Sequence, residues 1–87
     1  MKIEITFDKK QNIVKIKQNE VKVTFRLVDF CKFQHIYKTE TFSDKFSKEQ
    51  WLVSSKYNIK RYDPIVTIER KGQKIQYKIS QVPKGIL

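Results

Sequence analysis

The alternation of apolar and polar residues over Val21–Val28 constrains the fold of this chain more than any other feature. In the sequence VKVTFRLV, apolar residues stand at positions 21, 23, 25 and 27, and basic or hydroxyl residues stand at positions 22, 24 and 26. A period of two is typical of a β-strand with one buried face and one solvent-exposed face. We therefore expect a sheet that packs its apolar side inward and presents cations on its other side.

Two similar alternations precede this segment. They predict strands over Lys2–Asp8 and Ile13–Lys17, and the polar sequences DKKQN and QNE that follow them are suited to turns. Short strands joined by short turns are typical of an antiparallel meander. The first three strands are therefore expected to lie side by side in one sheet.

A β-hairpin is expected near the C-terminus. Strands predicted over Ile65–Glu69 and Lys74–Ser80 flank the sequence RKGQ, in which Gly72 can adopt a positive φ. The segment Gln81–Leu87 contains a proline and a glycine, and we expect it to form a loose tail.

The middle of the chain allows two interpretations between residues 29 and 42. Phe30, Phe33 and Tyr37 have helical spacing, and Asp29 could cap such a helix. Alternatively, an alternating pattern with many β-branched and aromatic residues favours a strand over Lys32–Phe42. We prefer the strand.

The segment Ser43–Asn58 carries the strongest helix signals. Ser47 and Gln50 have the spacing of a capping box, and Glu49 lies where the helix dipole favours an acid. Asn58 is suited to end the helix. The apolar side chains spaced for one face of this helix are Phe46, Val53 and Tyr57.

Together these elements predict an α+β fold in a single domain over residues 1–87. We expect a small antiparallel sheet of five or six strands, with one helix inserted before the C-terminal hairpin. A partly open barrel with one helix is the alternative architecture. A chain of 87 residues is long enough for one thin hydrophobic core.

The chain is strongly basic. It has 19 Lys and Arg residues against 9 Asp and Glu residues, which gives a net charge of +10. Such an excess favours a polyanionic partner, either nucleic acid or an acidic protein surface. A membrane partner is not expected, because no strongly amphipathic basic helix is present and no apolar stretch approaches the ~18 residues of a membrane span. One cysteine and the absence of a signal-peptide pattern favour a cytoplasmic protein.

Catalysis and cofactor binding are not expected. Cys31 and His35 could share a helix face as a nucleophile–base pair, but no third catalytic residue is suggested. These two ligands alone cannot complete a zinc site. The chain has only two glycines, at positions 72 and 85, which excludes a glycine-rich phosphate loop. We therefore expect a non-enzymatic protein without a metal or cofactor.

The basic residues carry the strongest functional signal, which is that of a nucleic-acid-binding accessory protein. Cations on the predicted strands would contact the nucleic-acid backbone largely independently of sequence, and tyrosines within the segment 56–62 could stack on unpaired bases. Single-stranded DNA or RNA is favoured over duplex, because no long basic helix or helix-turn-helix is predicted. The predicted binding residues are Lys15, Lys17, Lys22, Arg26, Lys56, Tyr57, Lys60, Arg61, Tyr62, Arg70, Lys71, Lys74 and Lys78.

The alternative function is that of a phage or mobile-element protein that inhibits or regulates a host protein or nucleoprotein complex. The composition, rich in Lys and Ile, is typical of an A/T-rich genome. Tight binding to one protein would then replace binding to nucleic acid. An unpaired edge strand would also allow a homodimer.

Overall fold

The computed structural model describes residues 2–56 and 64–86. These residues form an α+β structure with seven strands, one α-helix and one 3₁₀ turn. The elements are β1 (Ile3–Asp8), β2 (Ile13–Gln18), β3 (Val21–Arg26), α1 (Leu27–Phe33), β4 (Glu40–Ser43), β5 (Gln50–Lys56), β6 (Ile65–Arg70), β7 (Gln73–Lys78) and the 3₁₀ turn Ile79–Gln81.

The seven strands form two separate antiparallel sheets. The first contains β1, β2 and β3 in that order, and the second contains β4, β5, β6 and β7 in that order. The prediction of one sheet of five or six strands, or of a partly open barrel, is therefore wrong. Helix α1 follows β3 directly, so it ends the first meander and separates the two groups of strands. It lies between β3 and β4 and not before the C-terminal hairpin.

One hydrophobic core combines α1 with the inner faces of both sheets. Phe30 and Phe33 of α1 are fully buried. The Phe33 ring lies edge-on to Phe25 of β3 and to Phe42 of β4, with ring centroids 4.9 and 4.8 Å apart. The Phe30 ring stacks on Tyr77 of β7 at a centroid distance of 5.7 Å. The helix thus connects the two sheets through aromatic contacts, which add to the free energy of area burial.

The strands predicted at both ends of the chain are confirmed to within two residues at each boundary. Gly72 adopts the expected positive φ of 70° in the β6–β7 turn. A loose tail was expected over 81–87, but within the described residues 81–86 the side chains of Val82 and Ile86 are buried in the core. Each buried aliphatic side chain contributes ~1.5–3 kcal/mol, which offsets the conformational entropy of ordering this segment.

The strand preferred over Lys32–Phe42 is wrong for residues 32–39, where the helical interpretation is closer to the structure. Its last residues, 40–42, lie in β4. Residues 30 and 33 lie on one side of a helix but would point to opposite sides of a strand. Both phenylalanines are buried, which agrees with the helix. Asp29 lies in the first helical turn and is not the N-cap, while Tyr37 follows the helix and is 89% exposed.

The helix predicted over Ser43–Asn58 is also wrong. Residues 44–49 form a loop and Gln50–Lys56 is β5. Trp51 and Val53 are buried while Leu52 is exposed, which is the period of a strand. Burial of these two large side chains against the core outweighs the weak local preference of a capping-box spacing.

The loop also changes the position of residues that were predicted to line the helix. Lys48 has a φ of 59°, which a right-handed helix does not allow. Phe46 is 57% exposed and does not face the core. Tyr57 and Asn58 lie outside the described residues.

Candidate nucleic-acid interface

The outer side of the first sheet carries three lysines in adjacent positions. Lys17 of β2 lies directly opposite Lys22 of β3, and Lys15 lies opposite Thr24. Alternate residues of a strand point to the same side, so these lysines share one surface. All three are exposed, whereas Ile16 between them is buried. We call this surface the cationic face; it comprises Glu4, Thr6, Lys15, Lys17, Lys22 and Thr24.

The cationic face keeps a net positive charge. Glu4 of β1 lies opposite Lys17, on the side away from Lys22. The two described arginines pair with carboxylates, but no lysine forms an ion pair with another described residue. Like charges directly opposite each other destabilise a sheet. A bound anion would therefore relieve the repulsion between Lys17 and Lys22.

Two shallow depressions lie on and beside the cationic face. The first has a volume of about 200 Å³ and lies among residues of all three strands. The second contains Lys9 and Lys10 of the β1–β2 turn and shares Thr6 and Lys15 with the first. Asp8 lies beside them, but its carboxylate accepts two backbone N–H groups of the turn at 2.9 and 3.3 Å. Lys9 and Lys10 were not among the predicted binding residues, because the sequence DKKQN indicates only a turn.

Arg26 lies on the same side of the first sheet, but its guanidinium is already paired. Its Nε and Nη2 atoms donate to the two carboxylate oxygens of Asp29 at 3.0 and 3.3 Å. The side chain of Asp29 is only 11% exposed. Arg26 therefore serves mainly to hold the first turn of α1, and it offers a ligand less unpaired charge than the lysines do.

Other predicted cations lie on the second sheet. Lys74 and Lys78 of β7 are exposed on its outer side, and Lys56 of β5 lies on that same side. Glu69 lies opposite Lys74. The predicted cations are therefore divided between the outer sides of two different sheets.

Two hydrogen bonds join the sheets beside the cationic face. The backbone N–H of Gln76 donates to Gln18 Oε1 at 3.1 Å, and Gln18 Nε2 donates to the Gln76 carbonyl at 3.4 Å. Lys17 precedes Gln18 in β2, while Lys74 and Lys78 each lie two residues from Gln76. Because successive residues of a strand point to opposite sides, Lys17 points away from the Gln18 side chain, and these bonds do not bring the cations of the two sheets together.

The remaining predicted residues contribute less to this surface. Arg70 Nη1 lies 2.6 Å from Glu49 Oε1, so its charge is paired. Lys71 is exposed in the β6–β7 turn. The predicted residues outside the described part of the chain are Tyr57, Lys60, Arg61 and Tyr62.

The structure does not assemble the candidate catalytic pair. Helix α1 ends at Phe33, so Cys31 and His35 do not share a helix face. Within residues 2–56 and 64–86, no three side chains of His, Cys, Asp or Glu converge to hold a metal ion. No helix in these ranges has the length and hydropathy required to span a membrane.

Tyr77 forms a buried polar pair with Gln34 between α1 and β7. Its hydroxyl donates to Gln34 Oε1 at 2.8 Å, and Gln34 Nε2 donates to the Phe30 carbonyl at 2.7 Å. Burial, with a smaller contribution from Cys31, raises the pKa of the Tyr77 hydroxyl above its ordinary value. This hydroxyl therefore stays protonated, and the pair has a structural role.

In comparisons with protein-family models, curated proteins and solved structures, the chain has no match. Its function therefore has to be inferred from its own residues. Among the described residues, the feature that most calls for a partner is the cationic face with its unpaired lysines.

Proposed function

We propose that this protein is a nucleic-acid-binding accessory protein that contacts the phosphate backbone through its cationic face. The observation that carries the proposal is the placement of Lys15, Lys17 and Lys22 side by side on one sheet, without an ion-pair partner among the described residues. Neutralising these ammonium groups with phosphates releases condensed counterions, which favours binding.

The chemistry of the face favours binding that is largely independent of sequence. It offers ammonium groups and the hydroxyls of Thr6 and Thr24, which suit phosphate and sugar contacts. Base recognition in a duplex typically uses a helix or ribbon that enters the major groove. Helix α1 has seven residues and buries its aromatic side against the core, so it does not supply such an element. Single-stranded DNA or RNA is therefore the favoured ligand.

Charge reversal on the cationic face tests this proposal. The double variant Lys15→Glu/Lys17→Glu should weaken binding to a labelled single-stranded oligonucleotide by roughly tenfold or more, since it replaces attraction for phosphate with repulsion. The matched control is Lys38→Glu/Lys84→Glu, which makes the same change of charge at exposed positions outside the cationic face. Equal loss in both double variants would contradict a specific role for the face.

A protein partner is the alternative, and a specific observation favours it. Four large hydrophobic side chains are exposed at separate positions among the described residues: Val28 in α1, Tyr37 after it, Phe46 in the β4–β5 loop and Leu52 in β5. The strands β1 and β4 also each pair with one described strand only, which leaves an edge for a partner or a second copy. Binding to an acidic protein, with no binding to nucleic acid near physiological salt, would favour this alternative.

A further inference from the structure

The loop 44–49, here called the Asp44 loop, is attached to the edge of the cationic face. Its Asp44 Oδ2 atom accepts the backbone N–H of Thr24 at 3.0 Å. The backbone N–H of Lys45 donates to the Thr24 carbonyl at 2.7 Å. On the edge of β3 that faces away from β2, the N–H and the carbonyl of Thr24 are therefore both hydrogen-bonded to the loop. The loop thus extends the first sheet.

The Asp44 loop is also braced internally. Asp44 Oδ1 accepts the backbone N–H groups of Phe46 and Ser47 at 2.9 and 3.0 Å. The backbone N–H of Lys48 donates to the Asp44 carbonyl at 2.9 Å. Because Asp44 is buried, these bonds form away from solvent, where the loss of a partner is costly. The backbone beneath Phe46 is thus held in one conformation.

Phe46 stands exposed on this braced loop. It is 57% exposed and takes no part in the hydrophobic core, whereas Phe42 in the preceding strand packs on Phe33. An exposed aromatic ring on a fixed backbone loses little conformational entropy when it binds a flat partner. The ring therefore does not contribute to the packing of the hydrophobic core.

The surroundings of Phe46 favour a polyanionic partner over an apolar protein surface. Lys45 and Lys48 flank it in the loop, and neither forms an ion pair with a described residue. Both lysines line one depression together with Arg26, Asp29 and Asp44, and the Asp29 carboxylate there is paired with Arg26. Both carboxylates of the loop already have partners. Asp44 accepts hydrogen bonds from backbone N–H groups, and Glu49 forms an ion pair with Arg70.

We propose that Phe46 stacks on an unpaired base, while Lys45 and Lys48 contact the adjoining phosphates of the same strand. This inference rests on the proposed function and specifies its ligand as single-stranded nucleic acid, running from the cationic face across the Thr24 edge to the Asp44 loop. An aromatic ring between cations is the arrangement by which proteins hold unpaired bases without reading their sequence. From the sequence, stacking was predicted for tyrosines of the segment 56–62, and Phe46 was predicted to lie on the apolar face of a helix over Ser43–Asn58.

The test compares Phe46→Ala and Phe46→Trp in binding to a labelled oligothymidine and to a duplex of equal length at the same salt concentration. Phe46→Ala should weaken oligothymidine binding about tenfold and change duplex binding by less than about twofold, because only an unpaired base offers its face. Phe46→Trp should retain affinity, and its added indole emission should be quenched by the oligonucleotide. The control is Leu52→Ala, which removes an exposed side chain from the second sheet and should change neither affinity.

Different results overturn different inferences. Oligothymidine affinity unchanged in Phe46→Ala, but lost in Lys15→Glu/Lys17→Glu, would overturn stacking and leave the cationic face as the binding surface. Equal weakening of single-strand and duplex binding in Phe46→Ala, or equal weakening in Leu52→Ala, would also overturn stacking. If the unmodified protein binds neither ligand, both the stacking and the proposed function are wrong.

Discussion

The carboxylate of Asp44 accepts the backbone N–H of Thr24 at 3.0 Å and thereby joins the β4–β5 loop to β3 of the other sheet. The same carboxylate accepts two further N–H groups within its own loop. One buried side chain thus connects the sheets and fixes the loop that carries Phe46. The proposed stacking by Phe46 would therefore depend on a residue that also stabilises the fold.

Asp44→Ala should lower the free energy of unfolding by about 3 kcal/mol, because it removes the acceptor of three backbone amides near the core. Urea denaturation monitored by circular dichroism measures this change. The control Asp8→Ala removes an acceptor from a more exposed turn and should cost about 1 kcal/mol or less. Equal losses would show that Asp44 does not connect the sheets. A folded Asp44→Ala protein should also bind single strands more weakly, since Phe46 loses its support.

Tyr77→Phe should destabilise the protein at neutral pH by about 1–2 kcal/mol, because it leaves the buried Gln34 Oε1 without its donor. Burial raises the pKa of the Tyr77 hydroxyl above its value of 10.0 in the unfolded chain. Since the folded state retains this proton, the associated stability is fully present below pH ~10 and is lost as pH rises beyond that value.

The pH dependence of the free energy of unfolding therefore tests the burial of the Tyr77 hydroxyl. The free energy of unfolding of the unmodified protein should fall more steeply above pH ~10 than that of Tyr77→Phe, and the difference between the two should narrow. Parallel pH profiles, measured by urea denaturation between about pH 7 and pH 11, would contradict the burial of this hydroxyl.

Arg26→Ala should lower the free energy of unfolding by about 1 kcal/mol, because the carboxylate of Asp29, largely buried, loses two charge-assisted hydrogen bonds. The exposure of the Arg26 side chain keeps this loss small. Binding of single-stranded DNA should decrease less than in Lys22→Ala. A larger decrease in Arg26→Ala would show that this arginine leaves Asp29 to contact the ligand.

The strands at both ends of the chain could be predicted because their alternation is strict and long-range packing agrees with it. In the middle, local signals and packing disagree. The spacing of Ser47 and Gln50 indicates a helix, but burial of Trp51 and Val53 selects a strand. Single-residue signals of this kind contribute too little free energy to decide between the two.

The candidate site could be predicted only in part. The sequence placed Lys15 and Lys17 on one face of β2 and Lys22 on a face of β3, but it left open whether these two faces coincide. The strand register places the three lysines on the same side of the first sheet. The sequence could not show that Lys74 and Lys78 lie on a second sheet, because strand order depends on contacts distant in sequence. The Asp44 loop was missed because its position depends on a hydrogen bond to Thr24, twenty residues away.

The most direct test of the central claim is a salt titration of binding between the unmodified protein and a labelled single-stranded oligonucleotide. Three lysine–phosphate contacts on the cationic face should give a slope of about −2 for the logarithm of the binding constant against the logarithm of the salt concentration, and more contacts a steeper one. Lys15→Glu/Lys17→Glu should flatten that slope by at least ~1.4. A slope near zero, or no binding at about 50 mM salt, would contradict the account.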